Sequence, residues 1–306
     1  NRNYILDWKN FQVFVFDDKG HYLHTIGKRG QGPGEYREVY DMIVDESKNQ
    51  VRLLSPFGSL YTYDLEGNFI KQNQLPEKSN YQAMEQIGDN IMTWTIPVSS
   101  DEPCITIVNA DNGKEVSSLW KGPRILNSLS GGSFYTYDGK TYFAPAFHNN
   151  EILEITEDSL KLAYKWDFGK DNIDISKYTF TLTDDNQAEE GRLMTDYLGN
   201  GTIPYLLGSQ YQNSKYFYVC FSYGWFPNQT IKHLFYLKSD GKSFFFKDTQ
   251  ENISIRPQAF EEECIVQFAS YDDLEAYKSI LSPAEYQKII SRNEEDNPCL
   301  IKLYFK

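Results

Sequence analysis

Aromatic side chains next to asparagine, arginine and histidine are the groups in this sequence best suited to hold a ligand. Trp8-Lys9-Asn10, Pro56-Phe57, Pro145-Ala146-Phe147-His148-Asn149-Asn150 and Tyr223-Gly224-Trp225-Phe226-Pro227-Asn228 each set an aromatic plate beside hydrogen-bonding or small turn residues. Lys28, Arg29, Tyr36, Arg37, Trp120, Lys121 and Arg124 add cations and further rings. A ring stacks on the apolar face of a sugar or peptide while amides, guanidinium and imidazole bond its polar groups. Trp8, Arg29, Tyr36, Arg37, Phe57, Phe147, His148, Asn149 and Trp225 are therefore the candidate ligand-binding residues. The same aromatics would equally serve to cap a hydrophobic core, and both readings stand at this level.

A second chemistry needs carboxylates. Asp41, Asp45, Glu85 and Asp89 lie on or beside strand-like runs, and such groups can hold a divalent ion with oxygen ligands. Calcium is the ion they could take, although no cofactor is required by any motif. His21, His24, His148 and His233 form no cluster with metal-ligand spacing, and no Gly-x-Ser-x-Gly elbow occurs, so no catalytic residue is assigned. Cys104, Cys220, Cys264 and Cys299 are far apart, without a Cys-x-x-Cys pair. Each sits in or beside an apolar run, which favours buried free thiols. Gly30-Gln31-Gly32-Pro33-Gly34 has the glycine content of a phosphate loop but the wrong spacing, and no Gly-Lys-Ser/Thr follows. It reads as a crossover between strands.

Composition narrows the partners. A net charge of −13 argues against nucleic acid and anionic membrane, both of which need a basic face. No apolar run is long enough to span a bilayer, and no signal peptide is visible at Asn1. Aromatic residues make up 16%, with 23 Tyr and 20 Phe, which leans towards strands. The chain opens in a strand-like run, which suggests an upstream segment.

The elements that must position these side chains repeat. Phe11–Asp17, Leu60–Asp64, Ile105–Asp111 and Ile152–Asp158 are alternating runs, each leading into an acidic turn and a further strand-like run. The acidic residues fall at 17, 64, 111 and 158, so that 64−17, 111−64 and 158−111 are all 47. A fifth copy, His233–Asp240, comes 240−158 or 82 residues later, which implies an insertion of 82−47 or 35 residues around Gly169–Gly201. Two more strand-like runs precede each hairpin. A unit is therefore four antiparallel strands in one period, the content of a propeller blade. The expected fold is all-β, a six-bladed β-propeller of four-stranded antiparallel blades, with short helical insertions near 186–198 and 271–292. Residues 1–306 read as one domain, with blades at roughly 1–27, 37–75, 80–120, 132–168, 202–249 and 254–306. The first blade lacks its first strand and the sixth its fourth. Propeller topology then puts the aromatic loops and crossovers on the face around the channel mouth, and the acidic hairpins on the opposite face.

The string from Val13 to Asp45, with Gly30-Gln31-Gly32-Pro33-Gly34-Glu35-Tyr36, resembles an NHL-type propeller repeat. Together with Asp296-Asn297-Pro298 and Leu300–Lys306 it is similar to the six-bladed propeller lipoproteins of Bacteroidetes. The resemblance covers nearly the whole chain. It implies export to the periplasm or outer membrane, with attachment by a lipid on an upstream cysteine. The expected function is a non-catalytic ligand-binding or interaction scaffold at the cell envelope, with a small molecule, glycan or envelope protein as partner. The alternative is a propeller enzyme of lactonase or lyase type with a divalent metal at the channel mouth.

Overall fold

The computed structural model describes residues 2–78, 80–96, 102–119, 133–144, 150–172, 204–224, 229–294 and 296–305. The chain divides into two compact units, Asn1–Asp167 with Ile173–Thr195, and Phe168–Asn172 with Asp196–Lys306. The division falls in the stretch that the repeat marks as an insertion, where the sequence alone reads one continuous domain.

The first unit holds four antiparallel sheets in which each strand pairs with its sequence neighbour. They are β1 (Arg2–Asp7), β2 (Gln12–Asp17) and β3 (Tyr22–Ile26); β4 (Asp41–Asp45), β5 (Gln50–Leu54), β6 (Ser59–Asp64) and β7 (Phe69–Gln74); β8 (Tyr81–Ile87), β9 (Asn90–Thr95), β10 (Ile105–Asn109) and β11 (Glu115–Ser118); and β12 (Ser133–Tyr137), β13 (Lys140–Ala144), β14 (Glu151–Ile155) and β15 (Leu160–Lys165). The second unit holds β16 (Pro204–Gln212), β17 (Tyr216–Tyr223), β18 (Thr230–Leu237) and β19 (Ser243–Phe246) in one sheet, and β20 (Pro257–Phe260), β21 (Cys264–Ala269) and β22 (Cys299–Tyr304) in another. These are the six blades of a β-propeller, with three strands in the first and the last.

Why the blades stack follows from which strand faces are apolar. On β2, Val13 and Val15 are fully buried, and they meet Tyr36 of the crossover and Val51, Leu53 and Tyr63 of the next blade in one cluster. Ile43 and Leu60 meet Tyr81, Met84 and Ile91 in the following cluster. Met92, Trp94 and Ile107 then meet Phe143 and Ile155. In the second unit Tyr218 and Phe235 pack on Ile265, with Phe260 and Phe305 alongside. A sheet buried on both faces needs bulk from both neighbours, and aromatic rings supply 150–250 Å² each at order of magnitude. The final strand of each four-stranded blade in the first unit is largely exposed, as in β7 and β15.

The turns that set the period are held by the residue that ends the third strand of each blade or follows it. The Asp17 Oδ1 accepts from the Lys19 and His21 N–H groups, and Asp64 Oδ1 accepts from those of Glu66 and Asn68. In the third blade Asn109 does this, accepting from Asp111 and Asn112, and in the fourth Thr156 bonds Asp158 and Ser159. The structural beat is thus 17, 64, 109 and 156, with 64−17 and 156−109 equal to 47 and 109−64 equal to 45. Asp111 and Asp158 sit two residues beyond the true equivalents.

The two helical insertions resolve differently. Asn186–Leu198 lies outside the described residues. Within the second insertion, Tyr271–Ser279 winds as a 3-10 run, capped by Ser270 and Asp273. Side chains three apart eclipse in that winding, so Leu274 and Tyr277 share one face and both are buried. The helix α1 (Pro283–Ile290) is capped by Ser282, whose side chain accepts from the Glu285 N–H while Glu285 accepts from the Ser282 N–H. All four cysteines are free, with Cys104, Cys220 and Cys264 buried. Among the described residues no helix is long and apolar enough to cross a membrane.

The glycine-rich crossover closes around its own carboxylate. Glu35 accepts from the Gly32 N–H at 2.8 Å and pairs with Lys28 at 2.7 Å. The Gly30 N–H donates to the Tyr36 carbonyl, and the Tyr36 N–H to that of Lys28. The N–H groups of Gly30 and Gly32, which a phosphate loop would aim outward, are therefore both used internally. Two buried rings fasten the loop to the core. The Tyr36 hydroxyl donates to the Ile26 carbonyl, and that of Tyr63 to the Gly34 carbonyl at 2.9 Å. Gly27 sits at φ +61, and a Cβ there would stand 2.6 Å from the Tyr63 hydroxyl and 2.9 Å from the Tyr36 ring. Gly27→Ala is expected to cost about 2–3 kcal/mol, from the left-handed backbone plus overpacking against two rings that cannot move. Urea denaturation checks this; a loss below about 0.5 kcal/mol would show the rings yielding.

Candidate functional site

One cavity of about 480 Å³ lies wholly within the first unit. Its walls are strand β4 with the preceding residue (Tyr40, Asp41–Val44) and strand β8 (Gln82–Glu85), with Phe134 from β12 and Trp8 from the β1–β2 loop. Strands β4, β8 and β12 are the first strands of consecutive blades and neighbour one another. Alternation puts Asp41 and Ile43 on one face of β4; Ile43 packs into the core, while Asp41, at the start of the strand, lines the cavity.

Trp8 is 57% exposed and is presented by a stiff loop. Asp7 Oδ1 accepts from the Lys9 and Asn10 N–H groups, and Oδ2 from the Asn10 side-chain amide. These bonds hold the Asp7 carboxyl below its usual range, the Asn10 amide most of all, against the opposing effect of burial. Phe11 closes the loop at φ +53, a conformation that costs a bulky residue roughly 1–2 kcal/mol. The rings then form a ladder. Trp8 stacks on Tyr40 at 5.4 Å, Tyr40 on Phe11 at 6.2 Å, and the Arg29 guanidinium sits 5.5 Å over Phe11.

The polar side of the cavity is acidic. Asp41 Oδ1 accepts from the Met42 N–H at 2.8 Å, and Oδ2 accepts from the Met84 N–H at 2.7 Å, which ties β4 to β8. Burial pushes its carboxyl up to about 7 against those two donors, and the charge of Glu85 adds to the rise. Glu85 is raised too, by burial, with the Gln86 N–H opposing. Neither carboxylate has a cationic partner among the described residues.

The candidate residues from the sequence separate accordingly. Trp8 lines the cavity, and Arg29 reaches it through Phe11 and Tyr40. Arg37 lies 5.9 Å over the exposed Phe57 ring, a pairing of its own away from the lining. Tyr36 is fully buried under the crossover, and burial raises its hydroxyl to about 12, so its role is packing. Phe147, His148, Asn149 and Trp225 lie outside the described residues. Of the four carboxylates, Asp41 and Glu85 share the cavity. Asp45 pairs with the buried Arg52, and Asp89 pairs with Lys48. Tyr40 was missed because it precedes a strand whose other residues read as core; its adjacency to Asp41 was the available signal.

The described residues thus form six antiparallel blades, with an acidic and aromatic cavity in the first unit. The chain belongs to the family described as a domain of unknown function, DUF4934, whose model matches residues 1–304. It is similar in structure to a Bacteroides fragilis protein described as exported, at 16% identity and TM-score 0.76, covering 100% of this chain and 88% of that one. It is also similar to a member of the DUF4221 family from Bacteroides vulgatus, at 12% identity and TM-score 0.54, covering 82% and 83%. At such identities the likeness is one of fold. The comparison with curated proteins yields no match.

Proposed function

We propose that this chain is a non-catalytic, exported binding propeller that takes a small, sugar-sized polar ligand in the cavity of its first unit. The observation that carries the reading is an exposed Trp8, stacked on Tyr40, beside Asp41 and Glu85 in a cavity of about 480 Å³. A sugar offers an apolar ring face for the indole and hydroxyl donors for the carboxylates. The description of the similar Bacteroides fragilis protein as exported supports the envelope location. An envelope setting also fits the lipid-anchored family that the crossover and the C-terminal segment resemble.

Trp8→Ala removes the platform and is expected to weaken binding roughly tenfold or more, with the melting temperature nearly unchanged because the ring is exposed. A glycan array followed by calorimetry on its hits makes the test. A hit whose affinity is indifferent to Trp8→Ala would move the site elsewhere.

A further inference from the structure

The cavity is unbalanced in charge and in hydrogen bonding. Its described lining contains two carboxyl groups and no lysine, arginine or histidine. Asp41 is held by two backbone donors, so its position is built in rather than adopted. Glu85 spends one oxygen on the Gln86 N–H, and its other oxygen takes no donor from the described protein. Around them stand Met42, Met84 and Phe134, and the mouth carries the Trp8–Tyr40 stack. Apolar walls around paired carboxylates make an uncompensated site, and burying such groups costs free energy unless a counter-charge arrives. Other propeller contacts solve this internally; Asp45 has Arg52 and Glu35 has Lys28. Here no internal cation does so, and either a proton on Asp41 or a cation from outside must take that place.

Resting on the ligand-binding reading above, we infer that the ligand of this cavity carries a protonated amine, held by Asp41 and Glu85, with its apolar face on Trp8. An ammonium supplies three donors and the counter-charge, and it gains from the aromatic faces beside it. An amino sugar joins these features to a ring face; a short polyamine has the charge without the ring. The titratable groups facing the bound amine are Asp41 on β4, Glu85 on β8 and the Tyr40 hydroxyl. Amine binding favours the ionised form of Asp41, so a proton is released on binding near neutral pH.

Calorimetry at pH 6.5 with glucosamine, N-acetylglucosamine, glucose, putrescine and calcium chloride tests it on the full chain. The expected result is glucosamine tighter than N-acetylglucosamine and glucose by on the order of tenfold, with the ratio collapsing in Glu85→Gln. Proton release, read from two buffers of different ionisation enthalpy, accompanies glucosamine binding. Putrescine binding alone keeps the ammonium and removes the sugar reading. Equal affinity for glucose and glucosamine overturns the inference and leaves the sugar-binding reading standing. Calcium binding without amine binding overturns it in favour of a metal. No binding of any probe overturns both.

Discussion

Asp45→Ala is expected to destabilise the first unit by about 3–5 kcal/mol, because it strands a charge in the interior. Arg52 is fully buried on the central strand β5, with its partner Asp45 only 10% exposed at 3.2 Å. The rest of its guanidinium is served by neutral acceptors, Gln86 Oε1 at 3.2 Å and Gln50 Oε1 at 3.0 Å, while Nε has no partner. Burial alone would raise the Asp45 carboxyl, but the Ser47 hydroxyl and Arg52 outweigh it and the net shift is downward. Asp45 also caps the β4–β5 turn through Ser47 and the Lys48 N–H. Asp45→Asn keeps an acceptor for the turn and removes the charge, so it separates the two losses. Adding Arg52→Met to Asp45→Ala removes the stranded guanidinium and is expected to recover most of the loss. Urea midpoints at constant slope give the comparison. A cost below about 1 kcal/mol for Asp45→Ala, or no recovery in the double variant, would show that water reaches Arg52.

Blade number, hairpin positions and most strand bounds were legible from the sequence because they rest on short-range rules. Asp-Lys-Gly and Leu-Glu-Gly force turns between alternating runs, and the runs themselves carry the period of two. What was not legible depends on chain proximity. Asp111 keeps the interval of 47 by composition, yet Asn109 makes the turn bonds, because an asparagine amide oxygen does the same work as a carboxylate. The glycine-rich stretch read as a crossover between strands, with the glycine content of a phosphate loop but not its spacing. Only the side chains of Glu35, Tyr36 and Tyr63, two of them next to Gly34 in sequence and one 29 residues away, show that the loop serves the core.

The site divided in the same way. Trp8 was readable as an exposed aromatic in a short hairpin loop. Tyr36 was not separable from it, because nothing local distinguishes a ring that seals a core from one left at the surface. Asp41, Asp45, Glu85 and Asp89 were equivalent by alternation; a buried arginine on β5 and a lysine after β4 removed two of them.

Acidification is expected to act oppositely on the two units, through one buried group in each. In the second unit His233 is buried beside Tyr218, whose hydroxyl lies 3.0 Å from Nδ1, and burial lowers it to about 4. The unfolded chain then binds a proton between about pH 6.5 and 4 that the native state refuses. His233 therefore contributes fully above pH 6.5 and loses about 3 kcal/mol as pH falls through 4. In the first unit Asp41, raised to about 7, is the reverse case. The native state holds its proton between about pH 3.8 and 7 where the unfolded chain does not, so stability falls as pH rises through that window. The full difference is about 4 kcal/mol, a ceiling because the residue keeps some accessible surface through the cavity. His233→Gln and Asp41→Asn each carry a packing cost that does not depend on pH, so the informative quantity is each variant's stability change at pH 5 minus that at pH 7.5. For His233→Gln the difference is expected to be about 2 kcal/mol in favour of the variant at pH 5, and for Asp41→Asn about 2 kcal/mol in favour of the variant at pH 7.5. A ligand amine would cancel the second difference and leave the first, since it meets Asp41 and not His233. Parallel pH profiles for either variant and the unaltered protein would place that group in contact with bulk water.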